Sequence, residues 1–137
     1  MKIVLDTNIL LVSIATKSKY RTIFDSILSE KIEIFVTTEI LNEYAEIIQN
    51  KTNSFISNNI LEMLIILPNV KSTTIFYKWN LIQNDEDDNK FVDAYLSSNA
   101  DFLVSNDKHY NQLNSIEFPK VNVITAEKLM EILSNKI

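Results

Sequence analysis

Five short apolar runs, most of them rich in β-branched residues, alternate with longer segments of helical periodicity along this sequence. The runs occupy residues 2–5, 34–36, 70–75, 102–104 and 121–124. The helical segments occupy residues 20–30, 38–49, 54–67, 89–98 and 126–134. Short runs of this composition are typical of buried parallel strands, and their alternation with helices requires crossover connections. The sequence therefore predicts an α/β fold: three layers, α/β/α, around a central, mostly parallel five-stranded sheet.

The length and composition of the chain are those of one domain. Its 137 residues are 46% hydrophobic, which is enough to fill one core, so we expect a single domain over residues 1–137. The chain has no cysteine, which removes disulfides and thiol nucleophiles and suits a reducing compartment. The apolar stretch at residues 9–15 is too short to span a bilayer. We therefore expect a cytoplasmic protein without a signal peptide or a membrane anchor.

Glycine is absent, and the net charge is −5. Walker loops and dinucleotide fingerprints need glycine where the backbone approaches phosphate, so nucleotide-cofactor enzymes of those two kinds are excluded. Helix ends and tight turns must then use asparagine, which tolerates the left-handed conformation. The negative charge argues against a nucleic-acid partner, but only while the carboxylates hold no cation, because a bound divalent ion becomes the largest local charge.

Three aspartates stand where parallel α/β sheets bind their ligands, at the carboxyl ends of the strands. Asp6 follows the first run, Asp107 follows the fourth, and Asp88 precedes the helix that leads into the fourth. Each one alone could be an ordinary helix N-cap, since aspartate is a preferred residue there. Together they favour a cation site, because Asp6 and Asp107 at one sheet edge repel each other unless a cation is present.

The remaining titratable candidates have equally simple alternatives. Glu43 lies in the middle of a helical segment and cannot cap it, so its alternative is a solvated face shared with Glu39 and Glu46. The acidic run at residues 85–88 is by default a surface loop, and periodicity does not choose among its members. His109 could be a general base, but an exposed loop histidine without a catalytic role is favoured. One histidine and no cysteine leave zinc and covalent chemistry without their usual residues.

Four stretches of the sequence together resemble one family. They are VLDTNIL at residues 4–10, TTEILNEYAEII at 37–48, DDNKFVDAYLSSNADFLVSNDKHY at 87–110 and FPKVNVITAEKLMEIL at 118–133. This set is similar to the PIN-domain nucleases, in particular the bacterial toxin components of toxin–antitoxin pairs. The resemblance covers nearly the whole chain and implies a PIN-like fold. One departure is Asn106, which stands where relatives often have glycine.

The resemblance implies a metal site made of four acids. Asp6 would be the central ligand of Mg²⁺ or Mn²⁺, with Glu43, Asp88 and Asp107 as direct or water-mediated ligands. The choice of Asp88 rests on the family match, and Asp93, one turn further along the helix, is the reserve ligand. Mg²⁺ prefers oxygen ligands and keeps several waters, and a bound water can be activated for in-line attack on a phosphodiester.

The same resemblance implies RNA as substrate, endoribonuclease activity, a homodimer and an inhibiting antitoxin protein. Asn8 and Ser105 would orient a carboxylate or a water from behind the ligands. Five basic residues are candidates for phosphate contacts at the rim: Lys17, Lys19, Arg21, Lys90 and Lys108. For the first two, an ordinary solvated charge is the favoured interpretation.

Three other classes of protein compete with the nuclease hypothesis. A receiver-type signalling domain also binds Mg²⁺ on a parallel sheet, but it needs an acidic pair after the first strand, where Thr7 and Asn8 stand. A phosphatase of the haloacid dehalogenase type needs a second aspartate at position 8. A PIN-like scaffold without catalysis would have no need of all four acids.

Overall fold

A computed structural model describes residues 1–83 and 86–135 and contains five strands and six α-helices in those ranges. The strands are β1 (Lys2–Leu5), β2 (Glu33–Val36), β3 (Val70–Ser72), β4 (Phe102–Val104) and β5 (Val123–Ile124). The helices are α1 (Thr7–Ser13), α2 (Arg21–Leu28), α3 (Thr38–Lys51), α4 (Ser54–Ile66), α5 (Asn89–Ser98) and α6 (Ala126–Asn135). Short 3₁₀ helices span Glu86–Asp88 and Lys108–Ser115. Asp85, a member of the acidic run, lies outside the described residues.

The five strands form one sheet in the order β3-β2-β1-β4-β5, and every pairing is parallel. The predicted three-layer α/β/α architecture is confirmed. The central strand β1 is the most deeply buried, with Ile3, Val4 and Leu5 at most 1% exposed. Its register with β4 places Leu5 opposite Val104, so the residues that follow these two strands come out side by side. None of the helices in the described ranges is long and apolar enough to cross a bilayer.

The predicted element boundaries hold best where the apolar pattern is clean. The runs at residues 2–5 and 102–104 and the helix at 89–98 have the predicted bounds, and the other predicted helices are displaced by at most two residues at either end. Strand β3 ends at Ser72 instead of residue 75, and β5 begins at Val123 instead of residue 121. The sequence also missed α1. Its apolar residues, 9–12, are contiguous and give no helical period in the sequence, although in the structure Val12 is exposed and Ile9 and Leu10 are buried.

Asparagine takes the place of glycine at left-handed positions, as predicted. Asn99 ends α5 with φ 54° and ψ 39°, and Asn80 has φ 51°. Glu30, just after α2, has φ 60° and was not expected there. Asparagine tolerates this conformation better than most residues, so α5 ends without glycine. The C-cap residues of α2, α3 and α4 all have negative φ and do not need it.

A buried tyrosine fixes helix α3 to the carboxyl end of β1. Tyr44 is 1% exposed, and its hydroxyl donates a hydrogen bond of 2.5 Å to the carbonyl of Leu5. Burial raises the pKa of the Tyr44 hydroxyl, and the nearby charges of Asp6 and Glu43 act in the same direction, so it remains a donor at neutral pH. Because Tyr44 is adjacent to Glu43, this bond also fixes where Glu43 lies relative to the end of β1.

We expect Tyr44→Phe to lower the free energy of unfolding by about 1–3 kcal/mol, because the buried Leu5 carbonyl loses a donor while the ring is kept. Tyr77→Phe is the matched control, since Tyr77 is 65% exposed and surface changes usually stay within about 0.5 kcal/mol. Equilibrium urea unfolding measures both variants. Equal stabilities would show that the Tyr44 bond does not hold α3 in place.

Candidate metal centre

Asp6 lies directly beyond β1 and is buried. Its amide donates to the Val104 carbonyl at 3.0 Å, which extends the β1–β4 pairing by one residue. It occupies the N-cap position of α1, but its side chain makes no capping hydrogen bond. Instead the Ser105 hydroxyl donates to Asp6 Oδ2 at 2.7 Å. The carboxylate therefore faces the end of β4, and a simple helix cap does not describe it.

The electrostatic surroundings of Asp6 disfavour its charge. The residue is 7% exposed. Burial is the main reason why its pKa lies above the ordinary value, and the charges of Glu43 and Asp107 act in the same direction, while the hydrogen bond from Ser105 opposes them. Repulsion between Asp6 and Asp107 at one sheet edge is therefore present as expected, although burial is the larger effect.

Ser105 connects two of the candidate acids. It follows β4 and is 3% exposed. While its hydroxyl donates to Asp6, the same oxygen accepts a hydrogen bond of 3.0 Å from the amide of Asp107. Asp107 Oδ1 in turn accepts from the His109 amide at 2.9 Å and caps the 3₁₀ helix Lys108–Ser115. The capping alternative is therefore true of Asp107, but capping occupies one of its two carboxylate oxygens and is compatible with a site there.

Asp88 and Asp107 both lie close to the same ring nitrogen of His109. His109 Nδ1 is 3.4 Å from Asp107 Oδ1 and 3.5 Å from Asp88 Oδ2. One potential ligand atom from each of these three residues lies within 4.8 Å of the others. Asp88 occupies the N-cap position of α5 without a capping hydrogen bond. The side chain of His109 is 46% exposed, as expected. Its position within the cluster was not expected, because the favoured interpretation was an exposed loop histidine without a catalytic role.

Glu43 lies on the inner side of α3. Thr7 Oγ1 donates a hydrogen bond to Glu43 Oε2, and Lys90 Nζ forms an ion pair of 2.6 Å with Oε1. Glu39 and Glu46 on the same helix are exposed. Glu43 therefore differs from the solvated face of α3, and its charge is close enough to act on the pKa of Asp6.

Lys90 is a partner of the acids in this structure. Its side chain is 9% exposed, and besides Glu43 it contacts the Asp87 carbonyl at 2.8 Å. The expectation that it contacts phosphate at the rim is therefore not supported by its contacts. Arg21 is engaged as well, with Asp25 and the Ile14 carbonyl. The other three predicted phosphate contacts are exposed: Lys17, Lys19 and Lys108.

Tyr110 has a fully buried hydroxyl near the acids. The residue is 0% exposed, and its hydroxyl has no hydrogen-bond partner within the described part of the chain. After burial itself, the charges of all four acids raise the pKa of this hydroxyl, so it lies within electrostatic range of each of them. An unsatisfied buried hydroxyl costs about 1–3 kcal/mol, a cost that a polar ligand or water in the site would remove.

The donor set fits a divalent cation. Asp88, Asp107 and the His109 imidazole each offer a ligand atom within 4.8 Å of the others, whereas Asp6 and Glu43 are not part of that group. Carboxylate oxygens are the ligands preferred by Mg²⁺ and Mn²⁺. The buried Tyr110 hydroxyl is a hydrogen-bond donor that has no partner among the described residues. Both observations are compatible with a cation site.

Asp93 and Asn8 line two different clefts. Asp93 is 5% exposed, accepts from the Trp79 amide at 3.1 Å and lines a groove of about 660 Å³ to which none of the four acids contributes. It thus stabilises the segment before α5, away from the cluster. Asn8 is exposed and lines a cleft of about 370 Å³ together with Asp6 and Asp107. Its predicted orienting role stays a prediction.

Comparison with known proteins gives the family. A family model described as "PIN domain" matches residues 2–109. The chain belongs to the PIN-domain family. This family consists of nucleases, so the assignment supports a nucleic-acid hydrolase and removes the receiver and phosphatase alternatives. No curated protein matches the sequence significantly.

A solved structure of similar fold supports the same assignment. The chain is similar to one in the crystal structure of VapBC2 from Rickettsia felis bound to a DNA fragment from their promoter, with a TM-score of 0.63 and 17% identity. The match covers 91% of this chain and 98% of the other. At this identity the likeness concerns the fold of a PIN domain.

The sequence did not reveal several contacts of the metal centre. Lys90 and Thr7 contact Glu43 across 47 and 36 residues, and no local spacing encodes such pairs. Tyr110 is preceded by three polar residues and did not stand out as buried. The one available signal was Thr7, because it follows the candidate ligand Asp6 directly in the sequence and must therefore lie near it.

We expect Asp6→Asn to raise the free energy of unfolding of the metal-free PIN domain near pH 7. The folded-state pKa of Asp6 is raised, mainly by burial, so the native state binds a proton more tightly than the unfolded chain does. The resulting penalty is complete above the folded-state pKa and disappears below the unfolded value of about 3.9. The advantage of the variant should therefore shrink between pH 7.5 and pH 4.

Urea unfolding in EDTA at both pH values measures this effect. Glu62→Gln, at an exposed position of α4, removes the same charge and controls for net charge. If Asp6→Asn is no more stable than the wild type at pH 7.5, or if its advantage does not change with pH, Asp6 does not carry a buried charge.

Proposed function

We propose that this PIN domain is a Mg²⁺- or Mn²⁺-dependent endoribonuclease, with residues 1–137 acting as a single nuclease domain. The observation that carries the proposal is the cluster of Asp88, Asp107 and His109, whose potential ligand atoms lie within 4.8 Å of one another. The other two acids come from separate elements near it. Asp6 follows β1, Asp107 follows β4, Asp88 begins α5 and Glu43 projects from α3. Their contacts through Ser105 and His109, and their shared electrostatic range, support one common site.

Each acid has a defined task in this proposal. Asp6, Asp88 and Asp107 hold the divalent ion, and Glu43 holds it directly or through water. When bound, the ion neutralises phosphate charge and activates water for attack on the phosphodiester. Ser105 orients the carboxylate of Asp6 through its hydrogen bond of 2.7 Å.

Glu43 is oriented by two groups, and this arrangement limits its charge. Thr7 donates to one of its oxygens and Lys90 to the other. Lys90 thus offsets part of the negative charge that four acids bring together. Hydrogen bonds from behind a ligand of this kind fix its orientation, and their removal commonly costs about 10- to 100-fold in metal affinity or activity.

The substrate must approach a protein with a net charge of −5. RNA binding therefore depends on the ion in the centre and on cations at its rim. The cleft of about 370 Å³ beside Asp6 and Asp107 is open to such a strand. Lys17, Lys19 and Lys108 are exposed and are the proposed contacts for flanking phosphates.

We further propose that the protein is the toxin of a type II toxin–antitoxin pair and acts in the cytoplasm. The likeness in fold to a chain of the VapBC2 complex supports a cognate antitoxin as partner. A homodimer is proposed as well. Large exposed apolar side chains, Phe76 at 91% and Phe118 at 83%, offer surface for such partners, since exposed apolar patches often mark interfaces.

Cleavage of a labelled single-stranded RNA with Mn²⁺ or Mg²⁺ tests the function. We expect Asp88→Asn to reduce the cleavage rate by roughly 100-fold or more, because it removes a charged ligand and even groups behind the ligands cost about 10- to 100-fold. Asp93→Asn is the matched control on the same helix: the asparagine oxygen can still accept from the Trp79 amide, and cleavage should stay near the wild-type rate.

Two results would contradict the proposal. If Asp88→Asn cleaves normally while Asp93→Asn is inactive, the third acid has been misassigned. If the wild type binds Mn²⁺ but does not cleave RNA, the chain is a catalytically silent PIN-like scaffold. Addition of EDTA tests whether cleavage depends on the metal. A DNA strand of the same sequence tests whether the enzyme prefers RNA to DNA.

A further inference from the structure

One ring nitrogen of His109 lies close to two acids of the candidate metal centre. Its Nδ1 is 3.4 Å from Asp107 Oδ1 and 3.5 Å from Asp88 Oδ2. Charge-assisted hydrogen bonds from nitrogen to carboxylate are shorter, at about 2.7–2.9 Å. Neighbouring ligands of a six-coordinate ion with bonds of about 2.1 Å are roughly 3 Å apart, and opposite ligands about 4.2 Å apart. The observed separations lie between those of neighbouring and of opposite ligands around one six-coordinate ion.

The backbone around His109 is fixed by the same acid that its ring approaches. Asp107 Oδ1 accepts from the His109 amide at 2.9 Å, so the first turn of the 3₁₀ helix holds residues 107–109 in a closed loop. Asp88 reaches the ring from the start of α5, 21 positions away in the chain. Two independent elements thus present carboxylates to one ring nitrogen.

The buried hydroxyl of Tyr110 gives a second, independent indication of a ligand at this place. It is fully buried and lacks a hydrogen-bond partner among the residues described. It also lies within electrostatic range of Asp88 and Asp107, as well as of Asp6 and Glu43. A buried hydroxyl is normally hydrogen-bonded, so we expect it to donate to a water held by an ion in the centre.

We propose that His109 is a direct nitrogen ligand of the ion in this centre and that it makes the site select Mn²⁺ over Mg²⁺. This inference rests on the metal site of the proposed function and names the ion which that site takes. Mg²⁺ is a hard cation that favours oxygen ligands in near-ideal octahedral geometry. First-row transition-metal ions accept imidazole more readily, and Mn²⁺ also suits carboxylates. A site in which one imidazole joins the carboxylates is therefore better suited to Mn²⁺ than to Mg²⁺.

Electron spin-echo envelope modulation of the Mn²⁺-loaded protein detects a directly bound nitrogen. We expect a ¹⁴N coupling in the wild type and its loss in His109→Asn, whose side-chain oxygen can take the place of Nδ1. The ratio of Mg²⁺ to Mn²⁺ dissociation constants, from competition titrations, should fall by roughly tenfold or more in this variant. Asn114→Gln, exposed in the same 3₁₀ helix, should change neither quantity.

The outcomes separate this inference from the proposed function. If Mn²⁺ binds and the wild type shows no ¹⁴N coupling, or if His109→Asn keeps the wild-type Mn²⁺ preference, His109 is not a ligand while the carboxylate site stands. If the wild type binds neither ion, the metal site itself fails, and with it both proposals. The nitrogen signal of the wild type requires no variant, so misfolding of His109→Asn cannot obscure the result.

Discussion

The parallel pairing of β1 with β4 is the constraint on which the rest of the site depends. It aligns Leu5 with Val104 and continues through the hydrogen bond from the Asp6 amide to the Val104 carbonyl. The next residue on each strand then projects at the same edge, and for this reason Asp6 and Ser105 are in contact. Because both strands are at the centre of the sheet and their core residues are fully buried, the position of Asp6 is set by the core.

Concentrating negative charge at this edge has a cost, and the surrounding groups limit it. Ser105 and Thr7 donate to Asp6 and Glu43, and Lys90 is buried beside Glu43. These neighbours do not remove the cost, since the pKa of Asp6 stays above its ordinary value, mainly through burial. A site that disfavours its own charges without a cation is typical of functional positions in proteins, and a bound ion would stabilise the native state in proportion to its occupancy.

The sheet and most helices could be predicted from local pattern alone. Strands β1 and β4 are clean apolar runs, so their limits were visible. Helix α1 has four contiguous apolar residues, 9–12, on both its buried and its exposed side, and therefore shows no helical period. Strand-end geometry pointed to Asp6 and Asp107. It could not distinguish Asp88 from its acidic neighbours or Glu43 from a solvated helix face, and for these two the family resemblance was needed.

The contacts that complete the centre could not be predicted, for a physical reason. Lys90 reaches Glu43 across 47 residues, and the burial of Tyr110 depends on the packing of the whole sheet edge. The alternatives weighed for His109 were a general base and a bystander. Neither included a ligand, because the approach of Asp88 to its ring follows from tertiary structure and not from spacing.

Anomalous diffraction from crystals grown with Mn²⁺ is the most direct test of the central claim that these acids form one divalent-metal centre. The account predicts a Mn²⁺ peak at the carboxyl edge of the sheet, within about 2.5 Å of a carboxylate oxygen of Asp88 and of Asp107 and beside Asp6. A saturated crystal with its Mn²⁺ peak elsewhere on the protein, or with none, would contradict it.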